Sequence, residues 1–312
     1  MKHNETYHFL KAIPEIAGYE SAKLVGGGWS PDLKFKISLK GETYLLRVSD
    51  ISNITKKQNE FEILSSLSHI GIKYSHPLAF GELPECEKVY MLLSWIDGEN
   101  VELMMPKLSK EQQYKSGFSA GQMLRRMHSV HTNVVNEEWK RKLLTKLDQR
   151  LELYKECDGY KIDYIDEMVS FIRRNVSLLE NRPMCFLHGD YQGRNIIVDE
   201  NCNVGIIDFE RTSGGDPYEE FNRMMTYTRR WSIEFCVGQV DGYFEGCVPP
   251  EDFWRIVAFH CAVNLITTIV FGVHTKQKHI YEENEIAKQV IYDDFKGYTE
   301  FLPDWYKRHS TL

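Results

Sequence analysis

No Cys-x-x-Cys pair occurs among the seven cysteines of this chain, and their number is odd. A disulfide framework and a thiolate zinc site are thereby excluded, and a reduced cytosolic protein is expected. Basic residues are not in excess. The formal net charge of −7 argues against nucleic acid or a membrane surface as partner, and would suit a cationic small molecule. The opening stretch MKHNETYHFLKAIPEI has no apolar core ending in a cleavage site, so no export signal is expected. Internal repeats, low-complexity runs and long Pro/Gly/Ser linkers are missing as well.

One long apolar run is present, from Ile256 to Val273, and it is about long enough to cross a membrane. His260, Asn264, Thr267 and Thr268 recur along it at i, i+4, i+7 and i+8 as a single polar stripe. A buried core helix with that stripe facing a cavity or solvent is expected, not a lipid-facing span.

Apolar residues make up 42% and charged residues 27% of the chain, as in ordinary globular enzymes. At 312 residues two lobes are expected. In the first hundred residues SAKLV, KFKISL, TYLLRV and VYMLLSWI read as strands, because β-branched and aromatic residues alternate with turn signals. Between them ITKKQNEFEILSSLSHI has Phe61, Leu64, Leu67 and Ile70 at helical spacing. After Asp97-Gly98 helical patterns dominate, over 109–130, 137–156, 163–180, 216–236 and 251–275. The spacing predicts a strand-rich first lobe (1–97), a connector near 94–98 and a helical second lobe (98–312).

The exception in the helical half is FLHGDYQGRNIIVDENCNVGIIDFE, two short apolar runs joined by a polar turn. Gly189 and Gly193 allow a tight loop between His188 and Asn195. Asp208 ends the second run, so its carboxylate leaves a rigid strand. Asn195 and Asp208 offer the hard oxygen ligands that Mg2+ prefers, and Asp190 remains to accept a proton. A metal that neutralises a transferring phosphate, with a separate carboxylate for the substrate hydroxyl, is what phosphoryl transfer requires. His188 is expected to bond to loop backbone.

In the first lobe, Gly26, Gly27 and Gly28 can bring backbone amides over phosphates. Arg47 occupies the strand position for a phosphate-contacting cation, with Glu60, rather than Glu62, as its ion-pair partner. Arginine there replaces the lysine of protein kinases, keeping the charge but changing the geometry. In the connector LLSWIDGE, backbone groups of Ser94 and Ile96 are candidates for purine contact.

HGDYQGRN (188–195), IIDFE (206–210) and GGDPYEEF (214–221), with LLRV, NEFEILSSL and LLSWIDGE in order, give the chain its resemblance to a known family. It resembles the aminoglycoside phosphotransferase and choline kinase group of kinase-like small-molecule kinases. The resemblance implies an α+β, bilobal protein-kinase-like fold and a phosphotransferase using ATP or GTP with Mg2+. It implies Asp190 as catalytic base, Asn195 and Asp208 as metal ligands, Arg47 and Glu60 as the phosphate-positioning pair, and Asp216 as a brace for the catalytic loop. Glu210 stands where protein kinases have the glycine of Asp-Phe-Gly.

The acceptor pocket is expected after Asp216. Glu210, Glu219, Glu220, Tyr227, Trp231 and Glu234 are its candidates, as carboxylates for a polyamine or aromatics for a quaternary amine. An aminoglycoside kinase conferring antibiotic resistance, a metabolic kinase for choline, a sugar or a related alcohol, and a silent nucleotide-binding module remain open. A monomer or weak dimer is expected.

Overall fold

The computed structural model describes residues 7–26, 31–157 and 159–307. Its contacts form two compact units, Met1–Asp97 with Gly205–Glu210, and Gly98–Val204 with Arg211–Leu312. The short segment Gly205–Glu210, which the sequence reading assigns to the second lobe, therefore joins the first unit. Backbone hydrogen bonds hold it there: Ile206 N donates to Lys73 O at 2.9 Å and Ser75 N to Ile206 O at 3.2 Å. Gly205 also lets Ile96 approach closely, since a Cβ at this position would lie 2.8 Å from Ile96 Cγ2.

The first unit is built on five antiparallel strands: β1 (Ser21–Leu24), β2 (Leu33–Leu39), β3 (Glu42–Asp50), β4 (Pro77–Leu83) and β5 (Lys88–Ser94), in the order β1-β2-β3-β5-β4. Helix α1 (Ile54–Ser66) connects β3 to the later strands. In β2 the buried positions alternate, Phe35 and Ile37, whereas Val89–Leu93 of β5 are all buried because this strand lies inside the sheet. Leu10, Ile13 and Ile16 from the preceding turns cover Phe35, Ile37, Leu46 and Val48. Burial of this apolar face supplies the main driving force for the unit. Sequence reading misses β4: PLAFGEL begins at a proline, contains a glycine and has a register shift between Pro77 and Ala79.

The second unit begins with β6 (Glu99–Asn100) and α2 (Val101–Met104), followed by α3 (Lys110–His128), α4 (Asn136–Tyr154) and α5 (Ile165–Arg174). Strands β7 (Cys185–Leu187) and β8 (Ile196–Val198) overlap the stretch 186–210, β9 (Val204–Ile206) runs from it into the segment that joins the first unit, and β10 (Ser213–Gly215) follows; β10 pairs with β7 and β6 with β8. Helices α6 (Phe221–Thr226), α7 (Ile233–Tyr243), α8 (Phe253–Thr275), α9 (Lys278–Asp294) and α10 (Asp304–Lys307) complete it. The segment read as one helix over 216–236 is broken. Asp216 and Pro217 start a short turn, and the Ser232 hydroxyl accepts from Phe235 N to start α7 afresh. Helix α9 is a further element that the sequence reading does not anticipate.

Helices α3 and α7 meet through paired glycines four residues apart. A Cβ at Gly117 would lie 2.0 Å from Phe235 O, and one at Gly242 the same distance from Phe118 O. Backbone contact this close leaves no room for any side chain. Helix α8 is apolar and long enough to cross a membrane by composition alone, but it is buried along most of its length as the core of this unit.

Candidate active site

The loop after β7 is shaped by a glycine and held from beneath by a carboxyl group. Gly189 has φ +79°, and a Cβ there would lie 2.0 Å from Arg211 O, so conformation and space both demand glycine. Glu220, fully buried, accepts from His188 N at 2.8 Å and Gly189 N at 2.9 Å. Burial pushes its carboxyl up to about 8, against the opposing pull of those two hydrogen bonds. The Tyr191 hydroxyl donates to Ala120 O of α3 at 2.7 Å, and Gly193 N donates to the Thr228 hydroxyl at 2.9 Å.

This frame presents Asp190 with few charged neighbours. Asn195 Nδ2 donates to Asp190 O at 2.9 Å and to Asp190 Oδ2 at 3.1 Å, while Gln192 Nε2 reaches Oδ1 at 3.2 Å. Arg223 Nε lies 3.6 Å from the same Oδ1. Both contacts are made through Nδ2, so the amide oxygen of Asn195 takes no part in them, and an amide oxygen is a ligand that suits a hard cation. His188 Nδ1 accepts from Asp190 N at 3.2 Å. Asp216, expected to brace this loop, instead takes a two-pronged ion pair from Arg182, at 2.8 and 3.0 Å, and caps Tyr218 N. The direct brace is Glu220.

The first unit contributes a buried charge cluster. Arg47 Nη1 meets Glu60 Oε1 at 2.5 Å, and Nη2 meets Asp32 Oδ2 at 2.7 Å and Glu210 Oε1 at 3.3 Å. Lys57 Nζ, one turn before Glu60 on α1, lies 2.6 Å from Asp32 Oδ2 and also bonds Glu210 Oε1. Glu62 is exposed and bonded to Gln58. Burial would raise the carboxyl of Asp32, but Lys57, Ser49 and Arg47 hold it far below the carboxylate range; Glu210 is lowered in the same way, chiefly by Lys57. Lys57 and Asp32 are absent from the sequence reading. The signal for Lys57 was its i, i+3 spacing to Glu60; Asp32, distant in sequence, left none.

Two residues before Glu210, Asp208 has φ +66°. A non-glycine residue in this region costs on the order of 1 kcal/mol, and such strain concentrates where a side chain must be aimed. Phe209 is buried edge-on to Tyr74, with centroids 5.8 Å apart, which anchors the turn. Gly26 is exposed, and a side chain there would meet nothing within 4 Å. Gly27 and Gly28 lie outside the described residues. At the connector, Ser94 N already donates to His76 O at 2.8 Å, and Ile96 is buried against Gly205.

Behind the Asp190 loop, within the second unit, lies a cavity of about 190 Å³. Gly189, Arg211 and Arg223 border it on the loop side, Lys146 of α4 on another, and His260, Asn264 and Thr267 of α8 on a third. The polar stripe of the long apolar helix thus faces a cavity.

The protein-family model described as the phosphotransferase enzyme family matches residues 21–255. The chain belongs to that family. Among solved structures it is similar to the GDP complex of aminoglycoside 2'-phosphotransferase-IIIa, with 13% identity and a TM-score of 0.72, covering 94% of this chain and all of the other. It is similar to the ternary complex of APH(4)-Ia with AMP-PNP and hygromycin B (12% identity, TM-score 0.69, 94% and 99% covered). The streptomycin–ATP complex of APH(2'')-IIa is a further neighbour (19%, 0.63, 93% and 99%). No curated protein matches. The fold is the α+β protein-kinase-like fold of the aminoglycoside kinases, with an antiparallel N-terminal sheet and a helical C-terminal part.

In this phosphotransferase the six acceptor candidates do not assemble into one site. Glu210 is held in the first-unit cluster by Lys57 and Arg47. Glu220 is buried under the Asp190 loop, and Glu234 pairs with Lys110 at 2.8 Å. The face of Trp231 is taken by Arg194 at 5.3 Å, and that of Tyr227 by Arg230 and Arg223 at 5.7 and 5.9 Å. Guanidinium groups beside these rings compete with a quaternary amine for the same π-faces. Of the six, Glu219 and Glu220 border the cavity.

Proposed function

We propose that this protein transfers the γ-phosphoryl group of ATP or GTP to a hydroxyl of a small molecule. The bond from the γ-phosphorus to the nucleoside diphosphate breaks as the bond to the acceptor oxygen forms, and the hydroxyl proton passes to the Asp190 carboxylate. The observation that carries this reading is the double contact of Asn195 Nδ2 on Asp190, which orients the carboxylate and leaves the amide oxygen for a cation. We assign Asn195 and Asp208 as the residues that hold Mg2+, which when bound neutralises charge on the phosphoryl oxygens. Arg47 and Lys57, positioned by Asp32 and Glu60, are the cations assigned to the nucleotide phosphates. Ser94 and Ile96 remain the assignment for the base, through the Ser94 carbonyl and the Ile96 amide, because the Ser94 N–H is occupied. A cytosolic setting suits both the donor and the free cysteines.

Aminoglycosides are the first acceptor class to test, because the fold neighbours are aminoglycoside kinases. A metabolic hydroxyl compound is the second reading, favoured by the scattering of the acidic and aromatic candidates described above. Phosphate transfer from ATP and from GTP, with Mg2+, is measured on aminoglycosides, macrolides, choline, sugars and sugar derivatives. Asp190→Asn is expected to lower kcat about 10²–10⁴-fold with nucleotide affinity retained. Full activity in that variant would remove Asp190 from the chemistry. No metal-dependent nucleotide binding in the wild type would sink the kinase reading.

A further inference from the structure

The cavity behind the Asp190 loop carries a charge opposite to that of the chain as a whole. Lys146 and Arg211 both border it, both are exposed, and neither makes an ion pair or hydrogen bond among the described residues. Arg223 borders it too and spends its charge on Asp190 from 3.6 Å. Against these stand two acidic residues, Glu219 and Glu220. Glu220 is buried, and burial pushes its carboxyl up to about 8, which weakens its opposition to these cations. In a chain of net charge −7, three cations converging on one cavity are a local reversal of sign, and such reversals select and steer ligands of the complementary charge.

The cavity also contains buried polar atoms without partners. Asn222 Oδ1 and Asn264 Nδ2 have no hydrogen-bond partner among the described residues, and Asn222 is only 6% exposed. A buried amide atom left unsatisfied is costly, so its retention in a polar cavity points to a ligand or water that completes it. One is an acceptor and the other a donor, the pair that a hydroxyl group satisfies. The volume of about 190 Å³ equals about six waters at ~30 Å³ each. That is the scale of a single sugar ring, and it is below the roughly 300–1,000 Å³ of pockets for drug-sized ligands.

We infer that this cavity binds the acceptor, and that the acceptor is a small hydroxyl compound carrying an anionic group, a carboxylate or a phosphate. Lys146 and Arg211 take the anionic group. Asn222 and Asn264 bond hydroxyls, and the loop of Gly189 brings the cavity wall to the residue next to Asp190. This inference rests on the phosphotransfer reading above and narrows its acceptor to the opposite charge from that of an aminoglycoside.

The test measures binding and turnover separately. Calorimetric titration of the intact protein uses gluconate, glucose 6-phosphate, glucose, glucosamine and kanamycin, with and without ATP and Mg2+. The anionic probes are expected to bind at least tenfold more tightly than glucose, and the two amines more weakly than glucose. Gluconate ahead of glucose 6-phosphate identifies a carboxylate acceptor, and the reverse order a phosphorylated one. Arg211→Gln and Lys146→Gln, at exposed positions where folding is not at risk, are expected to reduce anionic binding about tenfold each and to leave ATP affinity unchanged. Where a probe is phosphorylated, the loss falls on KM more than on kcat. Binding of kanamycin or glucosamine ahead of every anionic probe overturns the inference, as does failure of every anionic probe to bind. If ATP binding with Mg2+ persists in either case, the phosphotransfer reading stands and only the acceptor class is wrong. If ATP does not bind, the wider reading fails first.

Discussion

In the first unit Arg47 and Lys57 are buried among three carboxylates, Asp32, Glu60 and Glu210, and each of these groups is ion-paired with a neighbour of opposite charge. In the second unit the carboxyl beneath the Asp190 loop, Glu220, is just as deeply buried but has no ion pair among the described residues, and burial pushes it toward its neutral form although Arg223 pulls the other way. Both arrangements fix a short stretch of backbone or side chain near a proposed reacting group. The difference is in what each tolerates. A buried ion cluster is held by mutual pairing and collapses when one partner is deleted. A neutral carboxyl that caps two backbone amides needs no partner charge, yet ties stability to pH.

The sharpest way to break the comparison is to remove a cation. Arg47→Met leaves Glu60 without its nearest partner, Asp32 with Lys57 as its one ion-pair partner among the described residues, and Glu210 with Lys57 and Lys56. A loss of about 3–5 kcal/mol is expected in urea unfolding, as for other buried pairs cut from one side. Adding Glu60→Gln to that variant should recover part of the loss, because the stranded charge is then gone. A loss below about 1 kcal/mol for Arg47→Met would show that the cluster is not a mutually dependent unit.

The second test uses pH. The folded value of Glu220, about 8, lies above its ordinary 4.5. Between those values the folded chain retains a proton that the unfolded chain has released. Its contribution to stability is therefore complete below about 4.5 and is lost as pH rises through about 8. Asp216 runs the other way. Burial raises its carboxyl, but His260 and Arg182 together bring it from 3.8 down to about 2, so its contribution is present above about 4 and lost as pH falls through about 2. Glu220→Gln is expected to flatten the decline on the alkaline side and leave the acid limb unchanged. Unfolding midpoints from pH 3 to pH 9 check both limbs. An unchanged alkaline limb in Glu220→Gln would mean that the carboxyl is ionised in the folded chain.

The same contrast explains what could be read in advance. The fold class was legible because strands, helices and their order depend on local periodicity, and Asp190 and Asn195 were legible as candidates because one short loop, six residues from Asp190 to Asn195, carries both. The partnership of Arg47 with Glu60 followed from the strand and helix that present them. Asp32 was illegible: it meets Lys57 across 25 positions, and a contact at that separation leaves no periodic trace. Two of the acceptor candidates, Glu219 and Glu220, border the cavity, and the scattering of the others has a related cause. Glu220 and Trp231 lie on helical or turn segments where burial is decided by tertiary packing, and packing set them under the loop and beneath Arg194. The residues that instead border the cavity, Lys146 and Arg211, sit in exposed helix and loop positions that look like ordinary surface.

The smallest expected effect belongs to the exposed counterpart of both arrangements. Glu234, in the first turn of α7, pairs with Lys110, whose side chain is 85% exposed. Solvent screens such a pair, and holding the long lysine side chain in place costs entropy that offsets the attraction. Glu234→Gln should therefore leave the unfolding midpoint within error and leave phosphate transfer to every acceptor unchanged. The variant has a second use, because Glu234 is one of the carboxylates that a polyamine acceptor would need. A rise in KM for an amine-bearing acceptor, with KM for the nucleotide constant, would place Glu234 in the acceptor site after all. Such a result would shift the site from the cation-bordered cavity toward α7, and the charge reversal at Lys146 and Arg211 would then have to serve something other than the acceptor.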